Sequence, residues 1–105
     1  MDLVESLQGM LERGQDSALL RFSLGGEYAK RGDWSLAIEH LRSALSQDPN
    51  YSAAYKLLGK VLVEDNQSDT AKQVYANGID VAQARGDQQA AKEMTVFLRR
   101  LNKAG

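Results

Sequence analysis

The chain has 105 residues, of which 43 % are hydrophobic and 26 % charged, as is typical of one folded domain. Thirteen basic and fourteen acidic side chains nearly cancel, which argues against partners such as nucleic acid or an anionic membrane surface. Cysteine is absent, and neither a leader pattern nor an apolar run of about 18 residues occurs. We expect a cytoplasmic protein without disulfides or a membrane span, whose mature form is the whole chain.

Apolar residues recur at helical spacing in six stretches of the chain, and none of the stretches shows the sustained alternation typical of strands. In chain order these stretches cover residues 3–11, 19–28, 34–45, 51–62, 71–82 and 91–101. The spacing predicts an all-α chain of six short amphipathic helices with no sheet.

Small and polar residues between these stretches predict where helices end and begin. Gly14, Gly32 and Gly86 can adopt the left-handed conformation that closes a helix. The side chains that can accept hydrogen bonds from the first amides of a following helix are those of Ser17, Asp33, Asn50, Ser68 and Asp87. The connections are short and one contains Pro49, so we expect consecutive helices to pack antiparallel, as three hairpins.

The sequence matches itself when it is shifted by 34 residues. Leu24 falls on Leu58, and Gly25 falls on Gly59. A glycine inside a helix costs roughly 1 kcal/mol relative to alanine, so two glycines at equivalent positions indicate that another helix passes close to each. The chain therefore contains two copies of a two-helix unit.

A 34-residue unit of two helices with small residues at their crossing resembles the tetratricopeptide repeat. The residues that carry the resemblance in 18–51 are Leu24-Gly25, Tyr28, Gly32-Asp33-Trp34, Ala37-Ile38, Leu41, Ala44-Leu45 and Asp48-Pro49. Residues 52–85 match more loosely, through Tyr55, Leu58-Gly59, Ala71, Tyr75, Gly78 and Ile79. The resemblance implies an antiparallel helix-hairpin solenoid that winds as a superhelix, similar to short bacterial tetratricopeptide proteins.

The flanking segments extend this pattern by half a unit on each side. Residues 1–16 align with the second helix of a repeat, and residues 87–103 align with a first helix after a slip of two residues. We interpret both as capping helices of one domain that spans residues 1–105. Two departures from the family pattern stand out: Arg21 replaces a large apolar residue, and Gln83 replaces the closing proline, which predicts that its helix continues to Arg85.

The side chains that could carry catalysis or bind a metal do not form a recognisable site. His40 is the sole histidine, no motif surrounds it, and its register predicts a partly exposed position off the core face. Asp65, Asp69 and Asp80 lack the spacing of a metal loop. Gly25-Gly26 is too short for a phosphate-binding loop. We expect no enzymatic activity and no cofactor.

The family resemblance implies that the first helix of each hairpin lines a concave surface on which peptides commonly bind. Carried over by position, the candidate groove residues are Phe22, Gly26, Ala29, Lys56, Lys60, Val63, Lys92, Val96 and Arg99. Lys56 and Lys60 are four residues apart, so both ammonium groups should point into the groove. An ordinary solvated face explains these lysines about equally well.

Some tetratricopeptide domains bind the C-terminal carboxylate of chaperones through a clamp of lysine, asparagine and arginine. At the clamp positions this chain has Phe22, Gly26, Leu57, Gln89 and Glu93. The resemblance therefore does not extend to the clamp, and a chaperone tail is not the expected ligand.

These features favour a non-enzymatic adaptor that binds an extended or helical segment of a protein partner, with acidic residues around an apolar one. The alternative is a self-associating structural module, suggested by Phe97 near the open end of the stack. The end helices look polar, through residues such as Gln8 and Arg99, so we expect a monomer. The pair Arg99-Arg100 is explained by its place near a helix C-terminus, and no nucleic acid partner is expected.

Overall fold

Six α-helices follow one another in the computed structural model, which describes residues 2–104. They are α1 (Leu3–Glu12), α2 (Ala18–Lys30), α3 (Trp34–Gln47), α4 (Ser52–Glu64), α5 (Ser68–Arg85) and α6 (Gln88–Ala104). No strand occurs between residues 2 and 104. The prediction of an all-α fold is confirmed, and α5 continues to Arg85 as the missing proline predicts.

Side-chain caps open three of the helices where the sequence places them. The side chain of Ser17 accepts from the Leu20 amide at 3.1 Å, and Asp33 and Asp87 begin α3 and α6 in the same way. The predicted caps Asn50 and Ser68 are wrong. The residues preceding α4 and α5 are Tyr51 and Gln67, and neither forms a side-chain cap.

Left-handed backbone conformations close the helices that end in short turns. Gly14, Gly32 and Gly86 have φ values of 83°, 74° and 79°, as predicted. Asn66 adopts the same conformation between α4 and α5, with φ 60°. Asparagine tolerates this region better than most residues do, which explains how the turn forms without glycine.

The helices of the α2–α3 hairpin and of the α4–α5 hairpin cross at a glycine whose missing side chain makes room for a larger partner. A Cβ atom added to Gly25 would lie 2.6 Å from the Leu41 side chain, and one added to Gly59 would collide with the ring of Tyr75. The second pair lies 34 residues after the first. This confirms that the repeated glycines permit close packing of helices.

Consecutive helices pack against each other along the chain, and α4 also touches both α2 and α6. The first helices of successive hairpins therefore lie side by side, as in a solenoid. Side chains from all the helices between α2 and α6 form the core; its larger buried members are Leu24, Leu41, Leu58, Leu62, Tyr75 and Met94. Only α2 contacts α1, so α1 and α6 lie at opposite ends of a molecule 42 Å long.

His40 is buried, so the prediction of a partly exposed histidine is wrong. Its ring stacks on Tyr28 with 5.5 Å between centroids, and its Nδ1 atom lies 3.2 Å from a nitrogen of Arg21. Since a guanidinium only donates, Nδ1 accepts, and the imidazole is neutral in this arrangement. Arg21 also donates to Asp16 at 2.9 Å. Arg21, which stands where the family pattern has a large apolar residue, thus provides a polar partner for the buried ring of His40.

Candidate functional site

An open cleft with a volume of about 480 Å³ lies between α4 and α6. It is lined by Lys60, Val63, Glu64, Tyr75, Phe97, Arg100 and Leu101. The buried or half-buried members of this set are apolar or aromatic and form the floor. The charged members are exposed and form the rim. We call this cavity the α4–α6 cleft.

The floor of the cleft depends on the glycine crossing in the second repeat. Because Gly59 has no side chain, the ring of Tyr75 packs directly against α4. Tyr75 and Phe97 meet with ring centroids 5.7 Å apart at a tilted angle of 43°. Burial raises the pKa of Tyr75 to about 12, so its phenol is neutral at physiological pH. The floor is therefore aromatic and uncharged.

Two lysines of α4 turn towards α6, but they have different partners. The Lys60 ammonium lies 5.2 Å from the centroid of the Phe97 ring, within the range of a cation–π contact. The Lys56 ammonium lies 3.3 Å from a carboxylate oxygen of Glu93, and both side chains are about one third exposed. Lys56 is thus paired with Glu93 and is not among the residues that line the cleft. Only Lys60 reaches the cleft as an unpaired α4 cation among the described contacts.

The three candidate residues of α2 lie on the other side of α4. The Phe22 ring packs on Tyr51 with 4.9 Å between centroids, and a Cβ added to Gly26 would lie 3.8 Å from Leu57. Ala29 packs against the core cluster. These residues form the contact between α2 and α4 and do not line the α4–α6 cleft.

The three candidate residues of α6 face away from the cleft. Lys92, Val96 and Arg99 line a separate shallow cavity of about 380 Å³ together with Gln83 of α5. The equivalent positions of α2 and α4 face the first helix of the next hairpin, whereas no described helix follows α6. Lys92, Val96 and Arg99 therefore lie outside the cleft that Lys60 and Val63 line.

Five cleft residues were not among the predicted groove positions: Glu64, Tyr75, Phe97, Arg100 and Leu101. The sequence holds a signal for Tyr75, because it occupies the position of Leu41 in the first repeat and is larger than that position requires. In the sequence, Phe97 suggests self-association because it is an aromatic residue near the open end of the helix stack. The structure instead places it half-buried between Tyr75 and Lys60.

None of the described helices combines the length and the apolar character that crossing a bilayer requires.

Side-chain hydrogen bonds connect the ends of helices near the cleft, through Tyr55, Ser52 and Asp87. The Tyr55 hydroxyl donates to the Pro49 carbonyl at 2.9 Å, and the Ser52 hydroxyl donates to Asp87 at 2.9 Å. The second contact joins the start of α4 to the start of α6 and supports the cleft.

Comparison with known proteins agrees with this architecture. The family model described as tetratricopeptide repeat matches residues 28–94. A TPR repeat-containing protein of Pseudomonas aeruginosa is 48% identical over 102 residues, or 97% of each chain. A protein of Bordetella parapertussis, solved in solution, is 46% identical with a TM-score of 0.88, covering 99% of this chain and 90% of that one. A tetratricopeptide repeat domain protein from Salinibacter ruber is 27% identical with a TM-score of 0.80, covering 86% of this chain and 91% of that one.

The family match extends over more than half of the chain, and the Pseudomonas relative is similar over nearly all of it. Repeats of this kind are generally protein–protein interaction modules and typically have no catalytic activity of their own. The six helices, the glycine crossings at a 34-residue interval and these similarities agree: the chain belongs to the tetratricopeptide repeat family.

Proposed function

We propose that this protein is a non-enzymatic adaptor that binds a segment of a partner protein in the α4–α6 cleft. The segment carries an apolar side chain with acidic residues next to it. One copy of the chain supplies every residue that lines the cleft, so binding does not require an oligomer.

The observation that carries this proposal is the combination of an aromatic floor with two cations at the rim. Tyr75 and Phe97 offer apolar surface from which a partner side chain can exclude water. Lys60 and Arg100 are exposed at the rim of this surface. A partner segment with an apolar anchor residue and neighbouring carboxylates would contact both the aromatic floor and the two cations of the rim.

The charge of the rim also restricts how the partner is oriented. Glu64 lines the cleft beside the two cations, and Glu93 is already occupied by Lys56. A uniformly acidic segment would meet repulsion at Glu64. We therefore expect carboxylates of the partner only on the side of the anchor that faces Lys60 and Arg100.

Selection from a library of displayed random peptides on the immobilised chain tests this function. We expect the selected peptides to combine a large apolar residue with a nearby Asp or Glu. Synthetic peptides of these sequences should shift the amide NMR signals of the α4–α6 cleft, above all those of Lys60, Phe97 and Leu101. Shifts confined to the contact between α2 and α4 would contradict the proposed site.

Two charge-reversed variants provide a matched comparison. Lys60→Glu with Arg100→Glu alters the cleft, whereas Lys92→Glu with Arg99→Glu makes the same change of charge outside it. The selected peptides should lose affinity for the first variant and keep it for the second. Equal losses in both variants would mean that only overall charge matters and would refute the cleft as the binding site.

A further inference from the structure

One row of exposed side chains runs along the side of α6 that faces away from the cleft. Lys92, Val96, Arg99 and Lys103 lie within about 60° of one another around the helix, because successive residues turn by about 100°. All four are exposed, and the apolar Val96 has 39% of its surface accessible. We call this row the outer face of α6. It is not the purely polar cap that the sequence suggests.

The outer face of α6 is basic, and its charge is not balanced by the side chains around it. Two shallow cavities of about 380 and 370 Å³ follow each other along this face. The described residues that line them include the three cations Lys92, Arg99 and Lys103 and no Asp or Glu. Glu93, the one acidic residue of α6, turns towards α4 instead. A ligand for this face therefore carries negative charge.

The repeat gives the outer face of α6 an equivalent on α4. With a shift of 34 residues and the slip of two, its members Lys92, Val96 and Arg99 take the positions of Lys56, Lys60 and Val63. On α4 these positions face α6, and the corresponding positions of α2 face α4. The outer face is thus the side of a first helix on which the first helix of a following unit packs.

The packing of α6 on α4 shows what a helix in that place presents. The two helices run parallel, because each is antiparallel to α5. The Glu93 carboxylate lies 3.3 Å from the Lys56 ammonium. One turn later, the Phe97 ring lies 5.2 Å from the Lys60 ammonium. An acidic residue and an apolar one, four positions apart, therefore face two residues of α4 that have the same spacing.

We propose that the outer face of α6 binds an acidic amphipathic helix of a partner protein, which runs parallel to α6 as α6 runs parallel to α4. In this register an acidic residue lies opposite Lys92, and an apolar residue lies four positions later opposite Val96. Further acidic residues lie opposite Arg99 and Lys103, seven and eleven positions after the first. Complementary charge selects such a helix and fixes its register. One helix face is smaller than a stable interface, so binding is weak and sensitive to salt.

A second copy of this chain does not supply the required helix. Its other end helix is α1, whose acidic residues Glu5 and Glu12 are exposed. Gly9 stands where the apolar residue is required, four positions after Glu5. The exposed apolar residues of α1, Leu3 and Met10, lie on nearly the opposite side of that helix from the two glutamates. The occupant therefore comes from another protein.

NMR titration of the full chain with a designed peptide tests this surface. The peptide is rich in alanine for helix propensity and carries Glu, Leu, Glu and Glu at positions one, five, eight and twelve of its central segment. With up to about 1 mM peptide at low salt, the amide signals of Lys92, Val96 and Arg99 should shift. Added salt should reverse the shifts. No shift at these residues, or shifts confined to the α4–α6 cleft, would overturn the proposal.

Two altered peptides separate a helix in this register from an acidic chain in general. In the first, the same three Glu residues are moved to the side of the helix opposite Leu. In the second, a central proline interrupts the helix. Both should cause much smaller shifts than the original peptide. Equal shifts from either one would show that the face attracts any acidic chain, and would overturn the proposal of a helical partner.

Charge reversal identifies the pairs and shows that the variant remains folded. Lys92→Glu with Arg99→Glu should abolish binding of the acidic peptide. A peptide with Lys in place of each Glu should bind this variant and not the wild type. Arg13→Glu with Arg42→Glu makes the same change of charge at exposed positions far from α6 and should keep binding of the acidic peptide. Equal losses in both variants, or no binding of the basic peptide to the first, would refute the proposed contact.

This inference is independent of the proposed function, because the α4–α6 cleft lies on a different side of α6. The variant Lys60→Glu with Arg100→Glu separates the two sites. It should lose the peptides selected for the cleft and keep the designed helix, whereas Lys92→Glu with Arg99→Glu should do the reverse. Loss of the designed helix from the cleft variant alone would place that helix in the cleft and overturn the proposal.

Discussion

The ammonium group of Lys60 lies 5.2 Å from the centroid of the Phe97 ring and covers part of the aromatic floor of the α4–α6 cleft. A partner side chain that packs on Phe97 must displace this contact. Because an exposed cation–π contact contributes only about 0.5–1 kcal/mol, the displacement is a small cost. The released ammonium can then pair with a carboxylate of the partner, so the contact favours an apolar residue with an acidic neighbour.

Substitutions of Lys60 and Phe97 should affect different steps of binding. Lys60→Gln should slow association and reduce its dependence on salt, because an exposed charge at the rim acts mainly on the encounter. Phe97→Ala should accelerate dissociation by removing apolar contact in the cleft. Stopped-flow kinetics or surface plasmon resonance with a selected peptide measures both rates. Lys92→Gln is the control for Lys60→Gln and should leave both rates unchanged.

Gly59→Ala should lower the free energy of unfolding by about 1–3 kcal/mol, because the added methyl group collides with the Tyr75 ring at the helix crossing. Gly26→Ala is the matched control within a helix. Its Cβ would lie 3.8 Å from Leu57, an ordinary contact, so the gain in helix propensity should raise stability by up to about 1 kcal/mol. Urea unfolding of both variants measures the difference. Equal stabilities would show that Gly59 does not limit the approach of α5.

His40 should make the protein less stable as pH falls below its ordinary pKa of 6.5. Burial, assisted by the positive charge of Arg21, lowers the pKa of His40 in the folded state. The unfolded chain therefore binds a proton at a higher pH than the folded chain, and protonation favours unfolding between the two pKa values. Urea midpoints measured from pH 7.5 downwards should show this decline. In His40→Gln, which does not titrate, the decline in that window should disappear.

Ser52→Ala should weaken the link between the starts of α4 and α6. Ser52 is only 3% exposed, and its hydroxyl donates to Asp87. Two hydrogen bonds lower the pKa of Asp87: the larger effect comes from the Ser52 hydroxyl and the next from the Ala90 amide. NMR titration of the variant should find a higher pKa for Asp87, and urea unfolding should find lower stability. Ser35→Ala, at an exposed position of α3, should change neither.

Local patterns in the sequence were sufficient to predict the helices, the repeat and its close crossings. Apolar spacing depends on the geometry of one helix, and the cap of α2 at Ser17 depends on residues within one turn. Gly25 and Gly59 revealed the crossings because glycine within a helix is costly unless another helix needs the space. These signals can be interpreted without knowing which helices meet.

The composition of the cleft and the burial of His40 were decided by the tertiary structure. Val96 and Phe97 are adjacent in sequence but differ by about 100° around α6, so only the packing of α6 on α4 determines which of them enters the cleft. His40 is buried because Arg21, nineteen residues earlier, reaches its ring nitrogen. Both outcomes depend on contacts between distant segments, whose energies cannot be derived from the periodicity of either segment alone.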